Sequence, residues 1–250
     1  MVEKVYMANV NKTFQEDDKI LKVLKDISIT LNAGEFVSII GPSGCGKSTI
    51  FHILTKIVKG YGGIVKIDGV SIEKQNKKIG YMPQKDLLMP WRNLLDNVCI
   101  PLEIQGIRGK DRKKRVEKLL PIFGLEGFEK SYPYQLSGGM RQRAALLRTI
   151  LIDSDILLLD EPFAALDAIS RSNMQEWLLD IWQKFKHSAL FITHDVEEAI
   201  YLSDRIYVLS HRPAIIVDEI KIDFPRPRIK EMTLTSEFIG YKKRLIELLR

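Results

Sequence analysis

The chain has 250 residues, of which 45% are hydrophobic, enough for one substantial core and at most a small attached lobe. Its two cysteines, Cys45 and Cys99, are too few for a disulfide framework and are typical of a reducing cytoplasm. The formal net charge of +6 is mild, and no basic stripe interleaved with aromatic residues favours nucleic-acid binding.

The sequence also predicts how the chain relates to membranes. The first residues contain no apolar signal region, and no apolar run approaches the roughly 20 residues that span a bilayer. We therefore expect the chain to reach a membrane only by docking on a protein that is already embedded there. Basic clusters at 110–115, 226–230 and 242–244 are most simply solvated surfaces. Attraction to an anionic membrane surface is a secondary interpretation.

The first third of the chain predicts strands around a glycine-rich turn. Residues 5–14 and 26–31 alternate between apolar and polar, and residues 36–40 form a short apolar run typical of a buried parallel strand. The pattern of residues 47–58 predicts a helix, and residues 64–68 return to strand.

The turn after residue 40 matches the pattern of a phosphate-binding loop, G-x-x-x-x-G-K-S, in the strand-to-helix context that makes this pattern specific. Its glycines let backbone N–H groups surround phosphate oxygens, and the helix N-terminus adds partial positive charge. Lys47 is expected to reach the β- and γ-phosphates, and Ser48 to bind Mg²⁺. The predicted nucleotide-binding residues here are Gly41, Pro42, Ser43, Gly44, Cys45, Gly46, Lys47, Ser48 and Thr49.

The rest of the chain predicts a helical segment followed by alternating strands and helices. Helical spacing is found at 94–103, 110–123, 139–152, 170–185 and 196–202. Strand patterns are found at 156–160, 189–193 and 206–210, and an amphipathic stretch at 236–250 follows a proline-containing tail. Strands that alternate with helices predict a mostly parallel sheet covered on both faces.

Two carboxylates end the apolar strand at 156–160. In a doubly wound sheet the carboxyl ends of the strands meet the ligand crevice. Asp160 is therefore placed to hold Mg²⁺, and Glu161 is the best candidate for the general base that activates water.

The segment Leu-Ser-Gly-Gly at 136–139 opens a basic helix and resembles the signature of ATP-binding cassette proteins. In that family the signature closes over the nucleotide held by a second subunit. The resemblance therefore implies an ATP-driven dimer in which Ser137, Gly138 and Gly139 contact ATP. Met140 replaces the glutamine that commonly follows, so the polar contact of that glutamine is absent.

Further motifs of the family follow in order, and the resemblance covers nearly the whole chain. It implies that Gln84 contacts Mg²⁺ and the attacking water, that Asp167 belongs to the D-loop along the dimer interface, and that His194 contacts the γ-phosphate. Phe14 stands where the family stacks an aromatic side chain on adenine, with Tyr6 as the alternative.

Residues near the signature narrow the resemblance to one branch. The lead-in at 131–135 looks like that of an importer, and residues 85–93 with the Pro-Arg-Pro-Arg at 225–228 look like the nitrate, sulfonate and taurine branch. We expect at least two of the apolar side chains Leu87, Leu88, Met89 and Trp91 to line a groove that receives a permease helix.

The resemblance implies an α/β fold: a P-loop NTPase core with a mostly parallel sheet, an N-terminal antiparallel β portion and an inserted helical subdomain. The predicted division is a core at 1–84 and 153–212, a helical subdomain at 85–152 and an accessory tail at 213–250.

The implied function is the ATPase subunit of a bacterial importer at the cytoplasmic face of the membrane, using ATP and Mg²⁺ to power uptake of a sulfonate-, nitrate- or taurine-type anion or a thiamine precursor. Its expected partners are integral membrane permease subunits, a second ATPase subunit and, indirectly, an extracytoplasmic solute-binding protein. The alternative is a soluble, non-transport ATPase of the same family that acts on nucleic acid or on another machine.

Overall fold

The structure is a computed structural model that describes residues 2–16 and 19–250. The strands are β1 (Glu3–Glu16), β2 (Lys19–Asn32), β3 (Phe36–Ile40), β4 (Gly62–Ile67), β5 (Val70–Ser71), β6 (Gly80–Met82), β7 (Ile156–Asp160), β8 (Ser188–Ile192), β9 (Arg205–Leu209) and β10 (Ile216–Lys221). The helices are α1 (Lys47–Leu54), α2 (Leu94–Val98), α3 (Ile100–Ile104), α4 (Gly109–Glu117), α5 (Gly138–Ile150), α6 (Ala168–Phe185), α7 (Val196–Leu202) and α8 (Ser236–Leu248).

The chain folds into two compact units. The first unit contains Met1–Asn76 and Gln175–Arg250, and the second contains Lys77–Met174. The boundaries predicted from the sequence, with a helical subdomain at 85–152 and a tail from 213, stay predictions.

The first unit contains an antiparallel sheet with the strand order β2-β1-β4-β5. The long hairpin of β1 and β2 has several register shifts, where bulges bend it. One face is buried through alternating residues such as Val5, Met7, Ile27 and Ile29. The predicted antiparallel β portion at the N-terminus is confirmed.

The first unit also contains four strands in the order β10-β9-β3-β8. β3 runs parallel to both β8 and β9, and β10 is antiparallel to β9. Every residue of β3 and β8 is buried. This burial explains why both strands appear in the sequence as continuous apolar runs rather than alternating ones.

The second unit contains the parallel pair β6 and β7 together with helices α2 to α5. The single helix predicted at 94–103 is wrong, because the chain forms α2 and α3 with a break at Cys99. Pro101 is accommodated at the start of α3, where its missing N–H costs no helical hydrogen bond. The helix predicted at 110–123 ends at Glu117 and continues as turns.

The C-terminal tail packs on other elements of the first unit. Phe238 and Leu245 of α8 are buried, and α8 contacts α7. Arg226 donates to the carbonyl oxygen of Leu202 at 2.8 Å and pairs with Asp204 at 2.8 Å. The last turn of α7 is therefore held by the tail. Within residues 2–16 and 19–250, no helix is both long and apolar enough to cross a bilayer.

Candidate functional site

The glycine-rich loop between β3 and α1, residues 41–49, forms a cradle with two glycines at which a side chain does not fit. A Cβ atom on Gly41 would lie 3.0 Å from the Cβ and the carbonyl oxygen of Leu209. Gly46 has a φ of +127°, and a Cβ there would lie 2.7 Å from Cγ1 of Val23. The loop therefore needs glycine at both positions for space, and at Gly46 also for backbone conformation.

Lys47 begins α1, and its side chain folds back over this cradle. The residue is 5% exposed, and its Nζ donates to the carbonyl oxygens of Gly41 at 2.8 Å and Pro42 at 3.0 Å. A buried ammonium group beside the N-terminus of a helix makes the loop strongly attractive to an anion. Burial raises the pKa of the neighbouring Cys45 thiol, against the opposing charge of Lys47, so this thiol stays neutral and packs in the loop.

Phe14 lies near the end of β1, and its ring makes a cation–π contact with a lysine. The ammonium group of Lys12 lies 4.7 Å from the ring centroid and donates to the carbonyl oxygens of Lys59 and Gly60. Lys12 is 8% exposed, whereas Phe14 is 36% exposed. The sequence interpretation missed Lys12, although its spacing of two residues places it on the same face of the strand as Phe14. The ring thus keeps an accessible surface on which a base could stack.

In the second unit, two carboxylates lie at the end of β7: Asp160 is its last residue, and Glu161 follows it. Their surroundings differ. Asp160 is 5% exposed and accepts a hydrogen bond from the hydroxyl of Tyr81 at 3.4 Å. Burial, together with the charge of Asp160 and this hydrogen bond, raises the pKa of Tyr81. Glu161 has a φ of +44°, so the chain turns sharply where the strand ends. The amide Nε2 of Gln84 donates to Oε2 of Glu161 at 3.2 Å. The structure therefore brings together Gln84 and Glu161, two of the predicted catalytic residues.

The predicted signature residues form the exposed N-terminus of α5. Ser137 is the N-cap, and its hydroxyl accepts a hydrogen bond from the backbone N–H of Met140 at 3.2 Å. Gly138 and Gly139 are the first two helical residues, and no atom lies within 4 Å of the position that a Cβ on Gly139 would take. The first turn is consequently open at Gly139, whereas a Cβ on Gly138 would lie 3.3 Å from Cδ2 of Leu166.

Two arginines of α5 connect this helix to the residues that follow Gln84. Arg141 donates to Oδ2 of Asp86 at 3.2 Å and to the carbonyl oxygen of Leu136 at 2.8 Å. Arg148 donates to the carbonyl oxygens of Asp86 and Leu87. The sequence interpretation missed this bridge, whose only signal is two arginines seven residues apart on one helical face.

His194 lies in an exposed turn between β8 and α7, and its neighbours fix that turn. Asp195 caps α7 by accepting from the backbone N–H groups of Glu197 and Glu198. The hydroxyl of Thr193 donates to Glu198 at 2.6 Å. These bonds set the position at which the predicted switch histidine leaves β8.

Asp167 has an additional role that the sequence interpretation missed. Its carboxylate accepts from the backbone N–H groups of Ile169 at 3.1 Å and Ser170 at 3.0 Å, at the start of α6. Hydrogen bonds from the side chain and backbone of Ser170 lower the pKa of Asp167. Its place along a dimer interface stays a prediction.

The glycine-rich loop of the first unit fits the phosphates of a nucleotide. The cradle leaves no room for a side chain at Gly41 or Gly46, and the buried Lys47 lies over it. The predicted metal ligands Ser48, Gln84 and Asp160 offer the oxygen atoms that Mg²⁺ prefers. Among the described residues, no group of three His, Cys, Asp or Glu side chains forms a metal site of its own. Mg²⁺ is usually held by one or two protein ligands plus phosphates, and the magnesium site stays a prediction.

Comparisons with known proteins agree with this geometry. A family model described as ABC transporter matches residues 24–164. The aliphatic sulfonates import ATP-binding protein SsuB of Bacillus cereus is 43% identical over 97% of this chain and 94% of its own length. The formylaminopyrimidine import ATP-binding protein ThiZ of Halalkalibacterium halodurans is 44% identical over 86% of this chain and 83% of its own length.

A solved structure supports the same assignment. The dimeric structure of a post-hydrolysis state of the ATP-binding cassette MJ0796, bound to ADP and Pi, matches with a TM-score of 0.77 and 31% identity. The match covers 88% of this chain and 100% of that chain. It confirms the predicted α/β fold of the P-loop NTPase type, and the sequence relatives confirm the predicted resemblance. The chain therefore belongs to the ABC transporter family.

Proposed function

We propose that the chain is the ATP-binding and ATP-hydrolysing subunit of an importer and works at the cytoplasmic face of the membrane. The observation that carries this proposal is the cradle of residues 41–49, with the buried ammonium of Lys47 over it. The two relatives above are both named as import ATP-binding proteins and match over most of their lengths.

The chain's own side chains divide the work of hydrolysis. Backbone N–H groups of the cradle and the ammonium of Lys47 hold the phosphates, while Phe14 receives the adenine. Glu161 accepts a proton from the attacking water, and the amide of Gln84 orients its carboxylate. His194 contacts the γ-phosphate from the end of β8. Ser48 and Asp160 hold Mg²⁺, which when bound neutralises charge on the phosphate oxygens.

A second ATPase subunit completes each site. The open first turn of α5 at Ser137, Gly138 and Gly139 closes over nucleotide held by the partner, which supplies the preference for a closed dimer. ATP drives closure only if it binds the closed state better than the open one. The dimeric structure of the cassette MJ0796 supports this arrangement.

Replacing Ser137 with arginine is expected to abolish the ATP-dependent dimer while each monomer still binds ATP. The long cationic side chain removes the cap of α5 and fills the open first turn. The dimer is measured by size-exclusion chromatography in a Glu161→Gln background, where bound ATP persists. Ser236→Arg, at the exposed first residue of α8, is the matched control for introducing the same side chain. A dimer that survives Ser137→Arg contradicts the trans role of the signature.

A permease subunit docks on the second unit. Here a cavity of about 390 Å³ is lined by Tyr81, Ile100, Pro101, Ile104 and Arg148, among others. The predicted docking residues Leu87 and Trp91 are 59% and 73% exposed, whereas Leu88 is 8% exposed and packs inward. Arg148 connects the cavity with the segment that contains Leu87, because it lines the cavity and donates to the carbonyl oxygen of Leu87. An amphipathic permease helix fits such an apolar groove.

The test of the proposed function is assembly with the cognate permease. Ile104→Glu is expected to lower co-purification at least about tenfold, because a carboxylate buried in an apolar interface is costly. Leu234→Glu is the matched control, since Leu234 is 82% exposed and Ile104 is 81% exposed. Hydrolysis stimulated by DNA or RNA, with no permease bound, would instead support the non-transport alternative.

The imported solute is a small molecule chosen by the permease and by a separate extracytoplasmic solute-binding protein. The two relatives are named for different solutes, aliphatic sulfonates and formylaminopyrimidine, at nearly the same identity to this chain. We therefore propose a class that includes sulfonate-, nitrate- or taurine-type anions and thiamine precursors. Identifying the ligand of the cognate binding protein decides among them.

A further inference from the structure

The charge of the chain is concentrated in one short segment around α4. The segment 108–118 has two acidic residues, Asp111 and Glu117, and seven basic ones, giving it a net charge of +5. The basic residues are Arg108, Lys110, Arg112, Lys113, Lys114, Arg115 and Lys118. Since the whole chain carries +6, the remaining residues are close to neutral overall.

These cations are displayed to solvent. Six of the seven are exposed, and α4 is anchored to the second unit through Val116, which is 0% exposed. Arg112 is half-buried and lies 3.7 Å from Glu103. Within residues 2–16 and 19–250, it is the one member of the cluster that pairs with a carboxylate. Lys110, Lys113 and Lys114 have the i, i+3, i+4 spacing that places side chains on one helical face.

The position of α4 in the second unit suggests what this cationic face meets. Ile104, the last residue of α3, lines the cavity proposed to receive the permease, and α4 begins five residues later and contacts α3. A permease seated at this cavity spans the bilayer, so α4 lies within reach of the membrane surface. The cytoplasmic leaflet carries anionic lipids that attract clusters of four to eight Lys and Arg residues.

We propose that the cationic face of α4 binds anionic phospholipid headgroups of the membrane surface beside the permease. The inference rests on the proposed function, because the permease brings α4 to the bilayer. Attraction to the leaflet concentrates the ATPase subunit at the membrane and favours its assembly with the permease. Nucleic acid is disfavoured as the partner, because the segment 108–118 contains no aromatic residue on which bases could stack.

The test is flotation of the purified full-length chain with phosphatidylcholine vesicles, with and without phosphatidylglycerol. Replacing Lys110, Lys113 and Lys114 with glutamine is expected to weaken binding to phosphatidylglycerol vesicles at least about tenfold. Replacing Lys19, Lys22 and Lys25, exposed lysines of β2, with glutamine removes the same charge elsewhere and is expected to leave binding unchanged. Salt is expected to release the wild-type chain, since exposed charges are screened.

Three results would overturn the proposal. One is equal weakening by the two triple variants, which would show an effect of net charge alone. Another is equal binding to vesicles that lack phosphatidylglycerol. The third is loss of permease assembly by the α4 variant in detergent without anionic lipid, which would indicate an acidic protein segment as the partner. Absence of ATP hydrolysis or of permease binding by the wild-type chain would refute the proposed function and leave the vesicle result standing.

Discussion

Replacing Glu161 with glutamine is expected to lower ATP turnover by about 10²-fold or more while ATP binding is retained. The loss of a general base typically costs this much, and the amide of glutamine cannot accept the proton of the attacking water. The substitution preserves size and shape at the turn after β7. The side chain also keeps an oxygen that can accept from Nε2 of Gln84, now 3.2 Å from the carboxylate. The expected loss is therefore in turnover and not in folding.

Steady-state phosphate release and equilibrium binding of a fluorescent ATP analogue separate the two effects. Glu126→Gln makes the same change at an exposed surface position of the second unit, and it is expected to hydrolyse ATP as the unmodified chain does. Near-normal turnover by Glu161→Gln would remove Glu161 as the base. A parallel loss of ATP binding would show instead that the carboxylate mainly holds the nucleotide.

The buried strands of the two units are the part of the fold that the sequence predicts best. Residues 36–40 and 156–160 were predicted with the bounds that the structure has, and the strand predicted at 189–193 is Ser188–Ile192. These strands are buried on both faces, so their apolar residues are continuous in the sequence. α7 was also predicted with its observed bounds, because Asp195 provides a clear cap before a helical pattern.

Short elements and tertiary hydrogen bonds were beyond prediction from sequence. β6 has three residues, Gly80–Met82, too few for a recognisable pattern. The break at Cys99 was missed because helical spacing of apolar residues continues through both α2 and α3. Arg148 binds the backbone carbonyls of Asp86 and Leu87, and any residue type supplies a carbonyl. Such contacts therefore cannot be recognised from the sequence.

Less of the candidate site than of the fold can be established from the sequence. Motif order predicts which residues carry the chemistry, and that assignment stays a prediction. The structure places Gln84 against Glu161 and Lys47 over its loop. This placement does not by itself establish the roles of the three residues, because each role depends on a nucleotide and on a second subunit. Substitutions that separate ATP binding from ATP turnover are therefore the test of these roles.

Replacing Lys47 with alanine is expected to weaken ATP binding by up to about 100-fold. A charge-assisted hydrogen bond to a buried group contributes up to about 3 kcal/mol, which corresponds to a factor of about 100 in affinity. In this structure the ammonium is almost fully buried and is positioned by two carbonyl oxygens of the loop, at 2.8 Å and 3.0 Å. Its removal deletes the cation that those contacts hold over the cradle.

The same substitution leaves the carbonyls of Gly41 and Pro42 without that donor, so a fall in stability has to be separated from a loss of binding. Thermal unfolding followed by circular dichroism measures stability, and isothermal titration with ATP well below the midpoint measures affinity. Lys56→Ala, an exposed lysine just beyond the other end of α1, is the matched control and is expected to bind ATP normally. If a folded Lys47→Ala variant binds ATP as tightly as the unmodified chain, the loop is not the phosphate-binding site.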